Sequence, residues 1–151
     1  MNMFRRHIVS AFNALLFSAS CAFACSSPGE PPTVEELFAK ATSVFVAHVV
    51  RTQETNLKIE GIPIVEGEFR LVEEIKGTPP QDYRVRDFVY GYGNCSLGLL
   101  AGLDYVFFIQ KDWSDLVVFP SGSRPIININ GKASVELLQK LRRLQEGSSK
   151  P

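Results

Sequence analysis

The stretch Ser43-Val44-Phe45-Val46-Ala47-His48-Val49-Val50-Arg51 decides how this chain folds. It is rich in Val and Phe, and apolar residues follow one another from Val44 to Ala47. That pattern predicts a strand buried on both faces. Just before it, Thr33-Val34-Glu35-Glu36 forms a capping box, in which Thr33 can cap the amide of Glu36 and Glu36 can reach back. Leu37, Phe38 and Ala41 follow at helical spacing, so a short helix is expected over about 33–41.

Beyond the strand, the polar stretch Thr52 to Asn56 leads to Gly61-Ile62-Pro63. Gly and Pro demote that region to a loop or an edge. Glu68 to Ile75 is a second strong strand, and Lys76-Gly77-Thr78-Pro79-Pro80 is its turn. Tyr83 to Tyr90 alternates apolar and charged residues through Asp87, which predicts a half-exposed strand. Gly91 to Gly98 is a glycine-rich loop carrying Cys95. Leu103 to Ile109 reads as a buried strand. Leu116 to Phe119 reads as another, after a turn at Lys111 to Asp115, and Ser121-Gly122-Ser123-Arg124-Pro125 breaks it. From Ala133 to Gln145, Leu137, Leu141 and Leu144 share one face of an amphipathic helix, with Val135 and Leu138 beside them. Lys140, Arg142 and Arg143 lie toward its negative end, and 147–151 reads as a tail. The pattern predicts a mainly β chain. Its five or six evenly spaced strands form a small closed or nearly closed barrel, with a short N-terminal helix and a C-terminal amphipathic helix.

The N-terminus has a different character. Arg5, Arg6 and His7 precede a mostly apolar run from Ile8 to Ala19, and Ala22-Phe23-Ala24 is a small-x-small cleavage signal. This three-part pattern predicts a signal peptide over 1–24, with the domain at 25–146. The run is too short to span a bilayer. Two competing readings are a mobile or buried N-terminal helix and a lipoprotein signal at Ser18-Ala19-Ser20-Cys21. Cleavage after Ala24 leaves 127 of the 151 residues, exported to the periplasm or the medium. Arg5 and Arg6 leave with the leader, so fourteen cations face sixteen acids, a balance that suggests neither a nucleic acid nor an anionic membrane as partner. Two cysteines remain, Cys25 and Cys95. In an exported chain they most simply form one disulfide, closing a 71-residue loop worth about 4 kcal/mol. The rival reading is two free thiols.

Catalytic and metal motifs are sparse. His48 is the one histidine after cleavage, and no nucleophile is tied to it by sequence. It reads as a polar residue among barrel side chains. One histidine and a cysteine pair do not make an ordinary zinc site. Gly91-Tyr92-Gly93 with Gly98 lacks the third glycine and the βαβ context of a dinucleotide loop, and reads as turn chemistry. Asn94-Cys95-Ser96 matches a glycosylation acceptor. Glu73, Glu74, Asp112 and Asp115 read as separate surface carboxylates, with no acid/base pair among them. The expectation is a protein that is not an enzyme and needs no cofactor.

Several pieces share an order and spacing. They are Cys25 at the mature N-terminus, the helix at Val34 to Ala41, the strand at Val44 to Val50, and Phe69 to Gly77. Cys95, Gly102 to Phe108, Ser121 to Pro125 and the leucine-rich helix follow. Together they resemble the tissue inhibitor of metalloproteinases (TIMP) family, in its bacterial single-domain form within the netrin-like (NTR) OB-fold group. The resemblance covers nearly the whole mature chain. It implies an OB-fold barrel and a Cys25–Cys95 disulfide. The family's mature chain typically begins Cys-x-Cys, and its second bridge joins the third residue to a cysteine near Ser121. Here those positions hold Ser27 and Pro120, so both halves of that bridge are missing together. In inhibitory members the first residue's α-amine and carbonyl oxygen chelate the zinc of a metalloproteinase. By resemblance that role falls to Cys25, Ser26 enters the specificity pocket, and Ser27 and Pro28 continue the ridge. The alternative is a non-inhibitory envelope or extracellular protein-interaction module.

Overall fold

A computed structural model describes residues 30–91, 95–111 and 115–148. The expected leader, Cys25 to Pro28 and the last three residues lie outside them. The element order is α1 (Val34–Lys40), β1 (Ala41–Ile59), β2 (Ile62–Lys76), β3 (Arg84–Phe88), β4 (Asp104–Gln110), a 3-10 turn (Phe119–Ser121), β5 (Arg124–Ile126) and α2 (Lys132–Ser148). The five strands form one antiparallel sheet in the order β3-β2-β1-β4-β5. The described residues are therefore mainly β, with two helices.

The capping box forms as the residues require. The Thr33 amide donates to Glu36 Oε2 at 2.8 Å, and the Glu36 amide donates to Thr33 Oγ1 at 3.2 Å. β1 begins at once and is central. Its first half is paired on both edges, with β2 and β4, and nearly every residue from Ser43 to Val49 is buried. Val44 and Val46 face the helices. They pack with Ile75, Val106, Phe108 and Ile126 against Leu37 and Phe38 of α1 and Leu138 and Leu141 of α2. Phe45, Ala47 and Val49 face the other way, into an aromatic cluster with Phe69, Tyr105 and Phe107.

β1 runs well past the polar stretch at Thr52, and β2 starts at Ile62, so the region expected to be a loop or edge is a two-stranded ribbon. Glu60 and Gly61 both have positive φ, 51° and 81°, which suits the twist of a two-residue hairpin turn. Pro63 lies opposite Lys58, and its carbonyl accepts from the Val89 amide. α2 takes in Gly147 and Ser148, which sequence placed in a tail.

The region from Leu116 to Ile126 also departs from expectation. Leu116 makes one isolated parallel bridge to Arg86 instead of a strand. The Arg86 amide donates to the Asp115 carbonyl, and the Val117 amide to the Arg86 carbonyl. The chain then turns through Phe119-Pro120-Ser121, since Pro120 has no N–H to extend a ladder. The segment expected only to break a strand supplies β5. Pro125 is accommodated because β5 is an edge strand. The sheet is not closed by a continuous ladder.

Candidate functional site

Cys25, Ser26, Ser27 and Pro28 lie outside the described residues, while Cys95 lies within them. The Cys95 carbonyl accepts from the Phe119 amide at 2.9 Å, which joins the Cys95 loop to the 3-10 turn.

Asp87 holds the loop from below. β3 alternates, with Arg84 and Arg86 outward and Val85 and Asp87 inward. Asp87 therefore occupies an apolar slot and is fully buried. Its Oδ1 accepts from the amides of Phe88 at 2.9 Å and Leu97 at 3.1 Å. Its Oδ2 accepts from Ser96 Oγ at 3.0 Å and the Gly98 amide at 2.8 Å. Burial pushes its carboxyl above the ordinary range, against the pull of these four hydrogen bonds. Tyr105 secures the far end of the loop. Its hydroxyl accepts from the Leu100 amide at 2.9 Å and donates to the Gly98 carbonyl at 3.2 Å. The Tyr105 ring stacks on Phe107, so the loop is referred directly to the aromatic core. Burial raises the Tyr105 hydroxyl, and the nearby Asp87 adds to the rise.

The 3-10 turn is fixed as firmly. Buried Ser121 and Ser123 are hydrogen-bonded to each other at 2.8 Å, and Ser123 Oγ accepts from the Phe108 amide of β4 at 2.9 Å. This turn leaves the Phe119 ring 64% exposed, and Leu100 at the loop's other end is 60% exposed. The two flank the Cys95 loop as apolar groups on rigid backbone.

The other singled-out residues lie elsewhere. His48 is not inside the aromatic cluster. It lies on the helix side of β1, half-buried, with Nδ1 2.8 Å from Asp104 Oδ1 on the directly opposed residue of β4. Glu73 receives a two-pronged contact from Arg142, at 2.7 and 2.6 Å. Asp115 pairs with Arg86 at 3.0 Å, and Glu66, buried between strands, pairs with Arg84 at 3.0 Å. Two of the carboxylates read as surface groups are thus clamps between elements, while Asp112 lies outside the described residues. Among the described residues no three His, Cys, Asp or Glu side chains gather as a metal site. No helix there is long and apolar enough to cross a membrane.

Sequence reading missed Asp87, although period-two counting from Val85 places it on the buried face. It also missed Tyr105 as a polar anchor, since an apolar run conceals a hydroxyl that needs a partner. No protein-family model matches this chain, and no curated protein matches it.

Proposed function

We propose that this chain is an exported, disulfide-stapled binding domain of the TIMP/NTR type. It is not an enzyme, and its binding ridge is Cys25 to Pro28, tethered by a Cys25–Cys95 bridge. The observation that carries the reading is the Cys95 loop, fixed by Asp87 and Tyr105 and flanked by exposed Phe119 and Leu100. Immobile backbone with projecting apolar side chains binds with little loss of conformational entropy. The strand order and the parallel Arg86–Leu116 bridge support an OB-like barrel as the underlying architecture.

On this reading the activity is inhibition of zinc metalloproteinases. An ordinary α-amine titrates not far above neutral pH, so the neutral form of a free Cys25 amine is accessible and presents a lone pair to the partner's zinc. The Cys25 carbonyl oxygen completes the chelate. Ser26 enters the specificity pocket, and Ser27 and Pro28 extend the contact.

The test begins with mass spectrometry of the exported protein, with and without reduction, to fix the N-terminus and the bridge. Peptide cleavage by a panel of zinc metalloproteinases is then measured with native and N-acetylated protein. Inhibition by the native form alone supports the reading. Equal inhibition by both forms rules out the amine as the inhibitory group. No inhibition at high micromolar concentration leaves the non-inhibitory binding module.

A further inference from the structure

We propose that Asp87 is the positioning residue of this site, a carboxylate that the Ser96–Gly98 backbone wraps so that the Cys95 bridge is held in its binding geometry. The inference rests on the reading that a Cys25–Cys95 disulfide carries the ridge.

Three features support it. First, the contacts are concentrated. Among the described residues, three of the four groups bonded to the carboxylate are Ser96 Oγ and the amides of Leu97 and Gly98, the residues immediately after Cys95. Neighbouring amides that converge on an anion form a nest, and here the anion comes from the chain itself. Second, the contacts are of the strong kind, with an ionised acceptor in a site closed to water. Third, the carboxylate is not there to fill space. Burial raises its pKa, so ionisation at neutral pH carries a cost. An apolar residue following the Val85 pattern would avoid that cost but leave the amides of Phe88, Leu97 and Gly98 without their acceptor. What the carboxylate supplies, and an apolar residue would not, is a fixed position for three consecutive loop residues.

Asp87→Asn separates positioning from bulk stability. The side chain keeps its size, but its NH2 now meets the Gly98 amide donor-to-donor. Two measurements are made on the exported full-length mature protein. One is amide hydrogen exchange at Leu97 and Gly98 relative to Val106 in the core. The other is the equilibrium of the Cys95 disulfide against dithiothreitol, which gives up two electrons and closes to its own cyclic disulfide for each bridge opened. We expect exchange at both loop amides to rise about tenfold relative to Val106, and the equilibrium to shift about tenfold toward the dithiol. Ser96→Ala removes one donor and keeps the carboxylate. It should move both readouts in the same direction by a smaller factor, and it carries the test if Asp87→Asn does not fold.

Leu141→Ala, in the helix-side core, is the control. It lowers stability in the oxidised and reduced forms alike and should leave the equilibrium unchanged. Native-like loop exchange and native-like equilibrium in Asp87→Asn would overturn the inference. So would an equal shift in Leu141→Ala. Neither readout depends on a protease. Failure of native protein to inhibit would count against the proposed function alone, and a bridge from Cys95 to a residue other than Cys25 would count against the ridge while the exchange result still judged Asp87.

Discussion

The two faces of the sheet are built by different rules. The helix side is aliphatic, with Val44, Val46, Ile75 and Val106 set against Leu37, Leu138 and Leu141. Its polar contacts lie at the rim, as Lys140–Glu35 at 2.8 Å and Arg142–Glu73 at 2.6 Å. The other face is aromatic, with Phe45, Phe69, Tyr105 and Phe107, and polar groups enter it to hold a loop. One face provides cohesion through shape and area alone. The other adds hydrogen bonds that fix where the Cys95 loop sits. If that division holds, damage to the two faces should be separable.

The largest effect should come from Phe107→Ala. Phe107 is fully buried and touches three other rings, so we expect a loss of about 3–5 kcal/mol in denaturant unfolding. The loop amides of Leu97 and Gly98 should also lose protection, because Tyr105 loses its stacking partner. A destabilised protein with a fully protected loop would break the comparison.

Leu141→Ala should cost about 2–5 kcal/mol, since the side chain is fully buried between α2 and the sheet. Here the loop should keep its protection relative to the core. Selective loss at Leu97 and Gly98 would show that the two faces are coupled.

Gly122 lies where the faces meet. It closes the 3-10 turn at φ +95°, and an added Cβ would come 2.9 Å from Leu37 Cδ1. Gly122→Ala should cost about 1–2 kcal/mol, from left-handed strain and crowding of a side chain that can shift. Thermal unfolding checks the magnitude. A neutral result would mean that the turn relaxes without disturbing α1.

The smallest effect is expected at the rim. Arg142→Ala should cost about 0.5 kcal/mol at neutral pH, because both partners are partly exposed. The hydrogen bond from Arg142 holds the Glu73 carboxyl below its ordinary value. The contribution is therefore present above the unfolded-state pKa and fades as pH falls through the lowered folded value. Asp87 has the opposite sign. Its raised pKa gives stability that is present in acid and lost as pH rises through the folded value. Urea titrations of native and Arg142→Ala protein should converge at low pH. Divergence there would contradict the assignment.

Elements with a local signature were legible in the sequence. α1 follows from the capping box, α2 from its leucine spacing, and the first half of β1 and all of β4 from β-branched and aromatic runs. The far half of β1 was not legible. From Thr52 to Lys58 both faces of the ribbon meet solvent, so no hydrophobic period marks a strand that backbone pairing alone sustains. β5 was hidden because only tertiary pairing with β4 makes Arg124-Pro125-Ile126 extended. In the candidate site, Cys95 could be named, and what supports it could not. A buried aspartate looks like a surface one until the loop that wraps it is known.

The strand order also bears on the path by which the chain acquires its structure. β1 pairs with β2 across a two-residue turn, and β2 with β3 across a short connection, so these contacts close small loops. The pairing of β1 with β4 joins residues such as Val44 and Phe108, and closing so long a loop is entropically slower. We expect a three-stranded meander to form first, with β4 adding afterwards to the open edge of β1. In pulsed-labelling refolding, Phe69 and Leu71 amides should become protected before those of Val106 and Phe108, and the reverse order would exclude this path. For a chain synthesised N-terminus first, the central strand would then wait with one edge unpaired until residues 104–110 arrive. That interval is when the molecule is most open to pairing with another chain.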